Sequence, residues 1–145
     1  MDCPVPSALL RDDAEAFAAI ALAAVACDGE LTSLEARELR QQLEYRQPYR
    51  TAGADHMIGL MDRLLQLLRE RGWQVVVAQA VAWLNPEQRE TALTLAAQLI
   101  LADRVESNQE RGFLSSLVQE LAIPAERAAT ILEVIAVLNR DSLAG

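Results

Sequence analysis

Four carboxylates stand in two matched sets. Asp28 and Glu35 bracket one polar turn, and Asp103 and Glu110 bracket another. The separations agree: 103 − 28 = 75 and 110 − 35 = 75, and Thr32 and Ser107 share the shift. Each set has an Asp closing one helix, a hydroxyl four residues on, and a Glu three after that. Hard divalent cations take carboxylate oxygens, so these four residues are the candidate metal ligands, for Ca²⁺ or Mg²⁺. The competing role is structural. Thr32 with Glu35 and Ser107 with Glu110 have capping-box spacing, and both aspartates can accept turn amides. Caps are common, and that frequency tilts the balance toward the structural role.

Other chemistries find few residues to work with. Counted from Asp28, an EF-hand would need Gly at position six and Glu at position twelve, where Ser33 and Leu39 stand. A di-iron bundle needs two Glu-x-x-His pairs; the single histidine, His56, has Gly53 at that spacing and reads as a solvated residue at a helix start. HExxH and GxSxG are absent, and one histidine leaves little room for a triad. The chain therefore reads as a non-enzyme acting by association. The alternatives are a metal-dependent hydrolase using the same acidic cluster, or a purely structural scaffold.

A second constellation suits that association. Tyr45, Arg46, Tyr49 and Arg50 make a locally basic, aromatic stretch in an acidic chain, and Tyr and Arg favour interfaces. They are the candidate partner-binding residues, with a protein as partner; a second copy of the chain is among the candidates. An ordinary loop with half-buried tyrosines is the simpler reading of the same residues. Met57 and Met61 read as core rather than as a ligand groove.

Helices must position these groups. The fold class is all-α, with about seven helices in one domain spanning 1–145. Ser7 caps a first helix that runs to about Cys27 and is apolar on every side from Phe17, so it is buried all round. Asp28-Gly29 stops it. The second helix runs to about Arg46 and buries Leu39 and Leu43. Residues 47–54 form a loop by their Pro and Gly. Met57, Leu60, Met61, Leu64 and Leu68 give the third helix, from about Asp55 to Arg71, its apolar stripe. Trp73 to Leu84 has a strand-like Val75-Val76-Val77, but a lone strand would have no partner for its backbone, so it reads as the fourth helix.

Asn85 caps and Pro86 opens the fifth helix, whose body from Ala92 to Ala102 is again almost wholly apolar. The sixth presents Phe113, Leu117 and Leu121. Pro124 opens the seventh, with Ala128, Ile131, Leu132, Ile135 and Leu138 on one face. Helices one to three thus match five to seven. Two pseudo-symmetric three-helix repeats, about 7–71 and 85–139, surround two central apolar helices.

Composition agrees. A chain of 145 residues that is 52% hydrophobic but only 4% aromatic builds its core from Ala, Leu, Val and Ile, a helical composition. A net charge of −8 argues against a nucleic-acid partner, which needs clustered cations. The longest apolar run, Ala16 to Cys27, falls short of the roughly 20 residues of a membrane span. No basic n-region precedes it, and Cys3 and Cys27 form no disulfide framework, so a soluble, cytoplasmic protein is expected.

A buried Ala-rich helix ending in Asp-Gly, then a polar turn with a Glu seven residues after the Asp, given twice, resembles the TerB family of tellurite-resistance proteins. Related helical domains occur in DnaJ-like co-chaperones. The carrying residues are Ala26-Cys27-Asp28-Gly29-Glu30 with Glu35, and Leu101-Ala102-Asp103 with Glu110. The resemblance covers roughly 14–139 in helix pattern. It implies an all-helical fold, a cytoplasmic setting, stress-response associations, and a divalent-metal role for the acidic residues without catalysis. The second copy departs from the pattern: Arg104 stands where Gly is common, and Glu106 where an apolar residue is. A cation beside Asp103 weakens the metal role of that half.

Overall fold

The computed structural model describes residues 9–27, 33–101 and 108–143. Among them are eight α-helices and no strand. The first, α1 (Asp13–Ala26), begins later than its composition suggests. Asp12 is its cap and accepts the Glu15 N–H at 2.8 Å, while the Glu15 carboxylate accepts the Arg11 N–H at 2.9 Å. Ser7, the expected cap, lies outside the described residues. As expected of a helix apolar all round, Ala16 and every residue from Ala18 to Val25 are buried.

α2 (Ser33–Glu44) buries Leu39 and Leu43. The segment expected as a loop then contains a one-turn helix, α3 (Tyr49–Ala52), after a cis Gln47–Pro48 bond. That turn raises the helix count from seven to eight. Gly53, at φ 91°, separates it from α4 (Ala54–Arg71) by taking a backbone region that favours glycine. α4 buries Met57, Leu60, Leu64 and Leu68, with Met61 packed at the edge of the core. Gly72, at φ 82°, ends α4 by donating to the Leu68 carbonyl at 2.8 Å.

The valine-rich stretch is helical, as α5 (Trp73–Val81). Trp73 stands edge-on to Phe113 with ring centroids 4.9 Å apart. α6 (Pro86–Leu101) opens with a reciprocal capping box. Gln88 N–H donates to Asn85 Oδ1 at 2.8 Å, and Asn85 N–H donates to Gln88 Oε1 at 2.9 Å. α7 (Asn108–Glu120) and α8 (Ala125–Leu138) complete the fold. On α8 only Ala128 and Ile135 are buried; Ile131 and Leu132 are half-buried. Leu138 is 66% exposed, so it does not belong to the packed face.

α1 and α6 pack side by side at the centre, where their alanines permit close approach. α1 also touches α2, α4, α5 and α7, and α6 touches α7, α8 and α2. Among the described residues, no helix is long and apolar enough to cross a membrane.

Candidate functional site

The two polar turns are described at one end only. Glu35 lies in the first turn of α2 and is half-buried; Glu110 lies in the first turn of α7 and is 7% exposed. A carboxylate is favoured there by the helix dipole and by exposed first-turn amides. Neither side chain lacks an interaction. Asp28 and Asp103, the other two candidate ligands, lie outside the described residues, as do Thr32, Arg104 and Ser107. Among the described residues no three His, Cys, Asp or Glu side chains gather. Two carboxylates alone do not make a cation cage.

The aromatic and basic stretch is described completely, and its members separate. Tyr49 is only 4% exposed. Its hydroxyl donates to the Ala14 carbonyl, and its ring lies 6.4 Å from that of Phe17. Burial, with Asp12 nearby, holds this phenol well above its usual titration range. Tyr49 therefore docks α3 onto α1 and, at 4% exposed, leaves only an edge of its ring at the surface, so its chief role is structural rather than that of the partner-binding anchor expected. Tyr45 is 82% exposed. Arg50 is also exposed, while Arg46 is half-buried with its guanidinium 5.7 Å from the centre of the Phe17 ring.

Arg46 and Tyr49 line a groove of about 380 Å³; Tyr45 and Arg50 are their neighbours in sequence but are not part of its lining. Its floor is Phe17, Pro48, Tyr49 and Leu84; Arg46 stands on one wall, and Asp13 and Glu87 on the other. The acidic wall belongs to the first turns of α1 and α6, which a Gln88 to Asp13 hydrogen bond of 3.4 Å ties together. An apolar floor between walls of opposite sign suits a peptide segment carrying both charged and apolar side chains.

Two positioning groups had no signal in the sequence. Arg89 donates to the carbonyls of Leu84 at 2.9 Å, Val81 at 3.1 Å and Leu121 at 3.4 Å. It thus satisfies carbonyls at the ends of α5 and α7, where a cation is also favoured by the dipole. Arg63 of α4 pairs with Glu15 of α1. Neither arginine stands in a recognisable motif; only the folded chain brings its acceptors within reach. The predicted exposure of His56 holds. Comparison of the chain with protein-family models, with curated proteins and with solved structures finds no match.

Proposed function

We propose that the chain is a non-catalytic, TerB-like stress-response module that binds a protein partner at the groove between α1, α3 and α6. The observation that carries this reading is Tyr45, 82% exposed and next in sequence to Arg46 on the groove wall. An exposed tyrosine offers a large apolar area at low entropic cost and serves as an interface anchor. The doubled turn pattern supports the TerB-like part of the reading, and with it a divalent cation at Asp28, Glu35, Asp103 and Glu110. A cytoplasmic setting follows from the same resemblance.

Tyr45→Ala with Arg50→Ala should abolish capture of a defined partner from cell extract, with the partner then re-bound in pure form. The melting temperature should stay within a degree or so, because both side chains are exposed. Undiminished binding by the double variant removes Tyr45 and Arg50 from the reading. In the same melts Mg²⁺ or Ca²⁺ should raise stability by mass action, and Asp28→Asn should abolish the shift. No shift with either ion leaves the four carboxylates as caps and turn formers.

A further inference from the structure

A second concavity lies between α1, α2 and α4. It encloses about 260 Å³. Leu22 and Leu39, each 1% exposed, make its floor, and Ile58, Met61 and Leu65 of α4 make one wall. Ile58 is left 47% exposed at the rim, an unusual position for a large aliphatic side chain on an otherwise amphipathic helix.

Arg40 lines the same slot. One of its terminal nitrogens reaches Glu44 at 3.4 Å, a long i,i+4 pair between groups 37% and 42% exposed. Such a pair is weak. The Arg40 Nε, by contrast, is buried without a hydrogen-bond acceptor. A buried N–H of this kind is rare; the exposed end of the same side chain is the part that a ligand in the slot can reach. Guanidinium N–H groups donate best to carboxylate oxygens, as charge-assisted hydrogen bonds.

The volume sets the size of the ligand. It lies just below the roughly 300–1,000 Å³ that encloses drug-sized molecules. We propose that this slot binds a small aliphatic carboxylic acid, its chain on Leu22, Leu39, Ile58, Met61 and Leu65 and its carboxylate on Arg40. Asp62 also lines the slot, but it is exposed and its repulsion is screened by water. This site is separate from the partner groove and does not depend on it.

Three probes of equal chain length test the proposal on the full chain: decanoate, decanol and decyltrimethylammonium. Decanoate should bind saturably below the concentration at which it self-associates, shifting the methyl NMR signals of Ile58, Met61 and Leu65. The alcohol should bind at least about tenfold more weakly, the weight of one charge-assisted hydrogen bond, and the cation more weakly still. Arg40→Met, which keeps the apolar stem, should erase the preference while the methyl shifts persist. Equal binding of the three probes overturns the proposal. So does an unchanged preference in Arg40→Met, shifts confined to other methyls such as those of Val134 and Val137, or no saturable binding.

Discussion

α4 buries Met57, Leu60, Leu64 and Leu68, whereas α8 buries Ala128 and Ile135 and leaves Val134, Val137 and Leu138 between 50% and 66% exposed. Apolar side chains recur in both helices, but their surroundings differ. α4 lies against α1, α3 and α5, because Gly72 turns the chain so that α5 folds back over both α4 and α1. α8 packs chiefly on α6. Helical periodicity says which residues share a face; only the neighbouring elements decide whether that face is covered.

The largest expected effect breaks or upholds this contrast. Leu64→Ala, at a position with no exposure, should cost about 2–5 kcal/mol in urea unfolding. Leu138→Ala should change stability by less than about 0.5 kcal/mol. Comparable losses at the two sites would mean that the outer face of α8 is covered in solution.

Arg89→Met comes next. Its three carbonyl acceptors at the ends of α5 and α7 would lose their donor, at a cost of about 1–3 kcal/mol. A neutral result would show that water replaces the guanidinium without penalty. The smaller effect is Tyr49→Phe, which removes one hydrogen bond worth about 1 kcal/mol. The same substitution has a pH signature. The folded phenol titrates above its unfolded value of about 10, so its stabilisation is complete below that pH and is lost as pH rises beyond it. The variant should therefore lose stability less steeply than wild type in alkaline urea titrations. Parallel alkaline limbs would place Tyr49 in contact with water.

Most of the helical framework is legible in the sequence, because strong local signals punctuate it. Asn85-Pro86 opens α6, Gly72 closes α4, and the stripe from Met57 to Leu68 is the buried face observed. The misplacements have local causes as well. Asp12 with Glu15 is as good a cap as Ser7, and a single turn can form between Pro48 and Gly53 without any periodicity to announce it. The groove was hidden for a different reason. It exists because the first turns of α1 and α6 meet, joining Asp13 to Gln88 across 75 residues of chain. Tyr45 and Tyr49 look equivalent as residue types, yet the α3 turn directs Tyr49 onto α1 and leaves Tyr45 in solvent.

The central claim is that a partner is held beside the exposed Tyr45 rather than on the exposed flank of α8. Photo-crosslinking reads this directly, with p-benzoylphenylalanine replacing Tyr45 in one variant and Val137 in another. The account predicts one discrete protein adduct from position 45 and none from position 137. An adduct at 137 with none at 45 would contradict it.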